Sequence, residues 1–140
     1  MAVNIQFSIA VHILAGLACG CDKGGVTSGR LAESVNTSPS FVRRVLAKLS
    51  KAGLAETAAG KAGACWLAKR AKDISLLDIY KAVDAPRAFS IHCYDEQKSC
   101  PVSCHIKAAL EKALEKTQKA MEKSLAETSL AKIVSEMRKK

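Results

Sequence analysis

The sequence predicts a mainly α-helical protein with a small β wing, in which a winged helix-turn-helix is followed by a long C-terminal helix. Three patterns predict this fold: a short helix, a tight break and a capped basic helix in succession; a glycine turn after them; and a narrow apolar stripe near the C-terminus. The 140 residues can bury a core and favour one domain with an extension. We divide the chain into a winged unit over 1–84, a loop over 85–99 and a helical region over 100–140.

The charge of the chain indicates what kind of partner it binds. Lysine and arginine number 22 against 13 acidic residues, giving a net charge of +9, which favours nucleic acid or another acidic surface. The first charged residue is Asp22, so no basic segment of a secretory signal precedes the apolar stretch over 5–21. Polar residues interrupt that stretch, which is also marginal beside the ~20 residues that span a bilayer. We therefore expect a cytoplasmic protein with no membrane partner and with reduced cysteines.

The first half of the chain has the start and stop signals of three helices. An apolar helical pattern begins near Ile5 and ends at the glycines after residue 19. Thr27 or Ser28 can cap a second, short helix. Ser38 is a good N-cap for a third helix, Pro39 suits its first position, and Gly53 is a typical residue just past its end. This order of elements is typical of a helix-turn-helix.

The third helix has a basic side opposite its apolar stripe. Val42, Val45, Leu46 and Leu49 form the stripe, and the arginines and lysines lie wholly or partly off it. The alternative is an ordinary solvated surface on a core helix. We expect Ser40, Arg43 and Arg44 to face the major groove of DNA, where arginine can read guanine, and lysines to contact phosphate. The candidate DNA-contacting residues are Ser28, Ser38, Ser40, Arg43, Arg44, Lys48 and Lys61.

Two short segments after the third helix can pair as the wing. Residues 54–57 and 64–67 flank the turn Gly60-Lys61-Ala62-Gly63 and predict a β-hairpin. A hairpin directly after a recognition helix is a wing, with Lys61 at its tip. A further helix is expected over 74–83, before a loop without regular pattern.

A long helix is predicted to start at Cys100-Pro101 and to carry a narrow apolar stripe. The stripe spans several turns, so either a partner helix or the chain's own domain must cover it. We favour a homodimer, because helix-turn-helix proteins commonly bind paired half-sites as dimers. Thr128 or Ser129 can cap a last helix. The stripe residues are Val102, Ile106, Leu110, Leu114, Thr117, Met121 and Leu125.

Residues 92–105 contain three cysteines and two histidines. Cys100 precedes a proline at the start of the long helix, where the helix dipole favours a thiolate, so we predict an oxidant- or electrophile-sensitive thiol. Cys93 is the better resolving partner, because a disulfide between Cys100 and Cys104 within one helix would be strained. The alternative is a metal site, an iron–sulfur cluster or zinc on Cys93, Cys100, Cys104 and His105 or His92, but this C-x6-C-x3-C spacing matches no standard signature well.

The sequence is also compatible with two other classes of protein. The first is an enzyme, a thiol peroxidase or reductase that uses Cys100. Against it, the chain has no cofactor motif and no glycine loop for phosphate. The second is an adaptor that binds proteins through the long amphipathic helix.

Four segments together resemble the Rrf2 family of bacterial winged-helix transcription regulators. They are residues 38–54, the glycine-containing wing, residues 74–83 and the cysteine-bearing loop before a long helix. The resemblance spans nearly the whole chain and implies a homodimer, crossed through the long helix, that reads a palindromic site, with repression as its expected effect. Two departures stand out: the wing has less glycine than is usual, and cluster-binding members typically space their cysteines as C-x5-C-x5-C. The element Ser99-Cys100-Pro101-Val102 is similar instead to members without a cluster, some of which sense oxidants or electrophiles.

Overall fold

The structure, a computed structural model, describes residues 5–20, 24–58 and 63–139. Over these ranges the chain is mainly helical with one small antiparallel sheet, which confirms the predicted fold class. No helix within them is long and apolar enough to cross a membrane. The elements are α1 (Ile5–Gly20), β1 (Val26–Thr27), α2 (Ser28–Val35), α3 (Pro39–Lys51), β2 (Ala55–Thr57), β3 (Ala64–Leu67), a 3-10 helix (Ala71–Asp73), α4 (Leu76–Ala82), α5 (Pro101–Ala126) and α6 (Leu130–Arg138).

The helix-turn-helix is built by the predicted capping residues. Of the two candidates for α2, Thr27 is the cap, and its hydroxyl accepts the backbone N–H of Arg30. Asn36 has a φ of 64° and closes the turn, a left-handed conformation that asparagine tolerates. Ser38 then caps α3 by accepting the N–H of Phe41 at 3.2 Å. Local sequence therefore sets the relation between α2 and α3, because the side chains of Thr27 and Ser38 cap the two helix starts and the backbone N–H of Asn36 closes the end of α2.

The wing is a β2–β3 hairpin joined by the short strand β1. β2 and β3 pair antiparallel, with Glu56 opposite Trp66, and β1 adds to the other edge of β3. The indole N–H of Trp66 donates to the Glu56 carboxylate at 2.7 Å. Gly25, with a φ of +102°, lets the chain pass close to β3, because a Cβ there would lie 2.9 Å from the carbonyl oxygen of Cys65. The hairpin prediction is confirmed, although residues 59–62 of its turn, Lys61 among them, lie outside the described residues.

The core gathers around α1, the helix that the apolar pattern from Ile5 predicted. Ile13, Leu14 and Leu17 are fully buried. The last helix, α6, packs on α1 and the 3-10 helix and places Leu130 in this core. Two backbone hydrogen bonds attach the start of α6 to the start of α4. The Leu130 N–H donates to the carbonyl of Ile74, and the Leu76 N–H donates to the carbonyl of Thr128. The predicted division grouped α6 with the long helix over 100–140, whereas α6 packs with the winged unit because its apolar side is buried there.

The long helix α5 leaves the core at its N-terminal end. Its predicted stripe is uncovered in that half: Val102 is 67% exposed, Ile106 41% and Leu110 36%. Further along, Leu114, Met121 and Leu125 are half-buried. The single chain therefore covers only the C-terminal half of the stripe.

Candidate DNA-binding surface and cysteine segment

The two adjacent arginines of α3 lie on different sides of that helix. The helix buries Val42, Val45, Leu46 and Leu49, which leaves Arg43 and Arg44 exposed. Successive residues of an α-helix are ~100° apart, so the two guanidinium groups diverge. The two arginines, adjacent in sequence, are thus separated on the surface of α3, and their contacts with DNA stay a prediction.

Arg43 faces a groove between α3 and the wing. Its guanidinium donates to the hydroxyl of Ser40 at 3.4 Å. The groove has a volume of about 660 Å³, and Ser28, Lys51 and Thr57 also line it. The structure thus brings three predicted DNA-contacting residues, Ser28, Ser40 and Arg43, to one side of the recognition helix α3.

Arg44 lies on another side of α3, over the ring of Phe41. Its guanidinium carbon is 5.3 Å from the centroid of the Phe41 ring, a cation–π contact that holds the side chain against α3. Lys48, one turn on, is half-buried and donates to the Gln6 side-chain oxygen at 2.8 Å. Lys48 would have to leave Gln6 to contact phosphate, so the phosphate contact stays a prediction. Ser38 is engaged as the helix cap, but its hydroxyl can still donate.

Cys100 and Cys104 take opposite hydrogen-bond roles. Cys100 is the N-cap of α5, and its Sγ accepts the backbone N–H of Ser103 at 3.4 Å. The thiol of Cys104 points back to the loop and donates to the carbonyls of Gln97 and Lys98, at 3.6 and 3.8 Å. An N–H at a helix N-terminus stabilises negative charge on sulfur, whereas a carbonyl acceptor stabilises the neutral thiol.

The loop before α5 is tied to the first turn of that helix. The Tyr94 hydroxyl donates to the carbonyl of Ser103 at 2.6 Å, and the Gln97 N–H donates to the Ser103 hydroxyl at 2.8 Å. The rings of His92 and Tyr94 stack with centroids 4.9 Å apart. Cys93, between them in sequence, is exposed. A chemical change at Cys100, whose sulfur accepts the N–H of the same Ser103, would therefore disturb the start of α5.

The predicted metal ligands do not form a site in the single chain. Within residues 5–20, 24–58 and 63–139, no three histidine, cysteine, aspartate or glutamate side chains converge as metal ligands do. This applies to Cys93, Cys100, Cys104 and His105, and the thiol of Cys104 faces carbonyls instead. In this arrangement the four side chains are not assembled as a ligand set, and an iron–sulfur cluster or zinc on them stays a prediction.

The other described cysteines lie away from this segment. Cys65 is buried in β3, donates to the Gly63 carbonyl at 3.3 Å, and burial raises the pKa of its thiol. Cys19 is exposed at the end of α1. Neither cysteine joins the Cys93–Cys104 segment.

Two residues of interest were not among the predicted site residues. Lys51 lines the groove beside Arg43, and helical spacing could have revealed it, because residues 43, 47 and 51 recur every four. Gln118 is buried at the junction of α5 with the winged unit, and no local pattern marks it.

The chain matches known proteins of one family of transcriptional regulators. A sequence model described as "Rrf2: Iron-dependent Transcriptional regulator" matches residues 3–136. The chain is 38% identical over 136 residues to a Bacillus subtilis (strain 168) protein named "Putative HTH-type transcriptional regulator YwnA", covering 96% of this chain and 98% of that one. It is also 35% identical over 75 residues to the B. subtilis protein YwgB, across 54% of this chain and 48% of the relative.

Solved structures show the same fold. A crystal structure described as that of a "putative DNA binding protein" superposes with a TM-score of 0.72 at 36% identity, covering 91% of this chain and 97% of that one. CymR, described as the global cysteine regulator of B. subtilis, superposes with a TM-score of 0.71 at 19% identity, over 96% of this chain and 97% of CymR. The second likeness supports the fold alone.

Proposed function

This chain belongs to the Rrf2 family of DNA-binding transcriptional regulators, and from that premise we propose that it is a homodimeric repressor controlled by thiols of the Cys93–Cys104 segment. Its relatives are transcriptional regulators and its fold is theirs, which argues against the hypothesis that the chain is a peroxidase or a reductase. The observation that carries the thiol control is Cys100, whose sulfur caps a 26-residue helix and accepts the N–H of Ser103.

The DNA surface combines α3 with the wing. Arg43 and Ser40 enter the major groove, with Arg43 reading a guanine edge, and Arg44 contacts the flank of the site from its other side of α3. Lys51 and Ser28 line the protein groove between α3 and the wing, and they contact phosphate and so fix the position of α3 on DNA. Two copies place two recognition helices on half-sites about one helical turn apart, roughly 34–36 Å.

The thiol step begins at Cys100. Its sulfur attacks a hydroperoxide, the O–O bond breaks, and the sulfur becomes a sulfenic acid, while the leaving hydroxide or alkoxide takes up a proton from solvent and departs as water or an alcohol. The thiol of Cys93, exposed on the loop, then displaces water and leaves a Cys93–Cys100 disulfide. A soft electrophile adds to the same sulfur directly. In each case the sulfur that accepts the Ser103 N–H gains a new covalent partner, so this hydrogen bond at the start of α5 is changed.

The consequence reaches DNA through α5. The first turn of α5 and the loop share hydrogen bonds at Ser103, so a modified Cys100 displaces both. A small rotation of α5 in the dimer moves the two recognition helices out of register with their half-sites. Affinity for a palindromic operator then changes without any direct change at α3.

The experiment starts with protein purified without oxygen. An operator is selected from random double-stranded DNA, and its affinity is measured before and after hydrogen peroxide and after re-reduction. The proposal expects a palindromic site, a dimer on it and a reversible change of affinity. Unchanged affinity with Cys100 demonstrably oxidised would contradict thiol control. Stoichiometric iron and sulfide with visible absorption would contradict the free thiols and would require ligands from a rearranged segment or a second chain.

A further inference from the structure

The long helix meets the winged unit at one buried amide. Among the residues of α5, all of which the structure describes, Gln118 is the only buried one, with 5% exposure. A leucine or methionine would be the ordinary residue at a buried position of an amphipathic helix. A buried amide is tolerated when its polar atoms are paired, and paired atoms also fix geometry.

Gln118 uses both ends of its amide to connect separate elements. Its Oε1 accepts the backbone N–H of Ala88 at 3.0 Å. Its Nε2 donates to the Tyr80 hydroxyl at 3.0 Å and to the Glu122 carboxylate at 3.2 Å. One side chain of α5 therefore holds α4 and the segment that links α4 to the cysteine loop.

Tyr80 extends the connection into the winged unit. Its hydroxyl donates to the carbonyl of Pro86 at 2.6 Å, directly before the residues that lead to Ala88. Its ring meets the ring of Phe7 edge-on, with centroids 6.0 Å apart, which joins the cluster to α1. A second tie, between Arg87 and Glu115, is an ion pair with both side chains about half exposed, and such pairs contribute little.

We propose that the Gln118–Tyr80 pair, with the backbone of Pro86 and Ala88, is the pivot that fixes the angle between α5 and the winged unit, so that Gln118 is a positioning residue for DNA recognition. Apolar contacts along α5 allow it to slide and rotate, whereas hydrogen bonds of defined length and direction allow one orientation. This inference rests on the proposed function, since an angle at α5 matters for DNA only if α5 joins two recognition helices.

Two variants test the pivot with the full chain. Gln118→Leu keeps the size and the burial but removes the amide, and Tyr80→Phe removes only the hydroxyl. Lys119→Leu, at the exposed neighbouring position, is the matched control. For each protein, affinity is measured for the selected two-half-site operator and for a single half-site, beside the oligomeric state. Backbone hydrogen exchange over residues 84–90 is measured on the free protein.

We expect both pivot variants to remain dimers and to lose about tenfold or more in affinity for the two-half-site operator, while the single half-site is bound as before. Exchange of the Ala88 N–H should accelerate in both, and the control should resemble the wild type in every measurement. Wild-type affinity for the two-half-site operator in both pivot variants would overturn the proposal. If the wild type bound no DNA, the proposed function would fail, and exchange would decide the pivot: unchanged protection at Ala88 would overturn it.

Discussion

Cys100 and Cys104 stand one turn apart at the start of α5, and their sulfur atoms have opposite hydrogen-bond roles. The sulfur of Cys100 accepts the N–H of Ser103, whereas that of Cys104 donates to the carbonyls of Gln97 and Lys98. In general, an N–H donor at a helix N-terminus favours the thiolate, which is the form that oxidants and electrophiles attack, and a carbonyl acceptor does not. The geometry therefore gives the two cysteines different surroundings, in line with the prediction from the sequence that Cys100 is the reactive thiol.

Alkylation should distinguish these thiols. With iodoacetamide at neutral pH, Cys100 should react faster than Cys104, and Cys65 slowest, because burial raises the pKa of Cys65 and so lowers its thiolate fraction until the pH becomes alkaline. Mass spectrometry of timed samples of the native protein gives the order. Equal rates at Cys100 and Cys104 would show that the helix cap does not activate Cys100.

Replacement of Cys100 should separate sensing from DNA binding. Cys100→Ser keeps a helix-capping oxygen, so operator affinity of the reduced protein should stay near that of the wild type. The response to peroxide should disappear, whereas Cys104→Ser should keep it. A normal response in Cys100→Ser would move the sensor to another cysteine.

Arg43 and Arg44 should contribute separately to DNA binding. Because they lie on different sides of α3, Arg43→Ala and Arg44→Ala should each weaken operator binding, and Arg43→Ala should also relax the sequence preference, with a loss of about 1–3 kcal/mol if it contacts a guanine. The double variant should lose specific binding and remain a dimer. Arg70→Ala, which removes one exposed positive charge paired with Asp73, is the control in the same mobility-shift and competition assays.

The sequence predicted those parts of the fold that local signals determine. Ser38 and Pro39 mark the start of α3, and the spacing of its apolar residues gives the buried side that the structure shows. The wing was predictable from two short segments around a glycine turn. In each case the relevant partners lie within a few residues of one another, so a pattern along the chain is sufficient.

The sequence could not predict contacts between distant segments. The spacing of α6 indicates an amphipathic helix but not which surface covers it, and only the structure places Leu130 against α1 and Ile74. Gln118 looks like one more polar residue of α5, since its partner Tyr80 is 38 residues away. The sequence alone suggests that Lys48 is available to contact phosphate, and only the structure shows that it donates to Gln6 of α1.

The packing of α6 against α1 should contribute to the stability of the winged unit. Leu130 is fully buried, so Leu130→Ala should lower the free energy of unfolding by about 2–5 kcal/mol. Met137→Ala, on the same helix but 52% exposed, should change it by less than about 0.5 kcal/mol. Urea unfolding followed by circular dichroism measures both. A small effect of Leu130→Ala would mean that α6 is detached in solution.

The uncovered half of the α5 stripe should be the dimer seam. Val102, Ile106 and Leu110 are exposed in the single chain, and a second copy of the stripe would remove them from water. Ile106→Asp places a charge there and should yield monomers that stay folded, because Ile106 lies outside the core of the single chain. Lys119→Asp is the control. Position 119 is nine residues, or about two and a half turns, from Leu110, so it lies on the opposite side of α5 and this variant should remain dimeric. Sedimentation equilibrium gives both masses, and a dimeric Ile106→Asp protein would place the seam elsewhere.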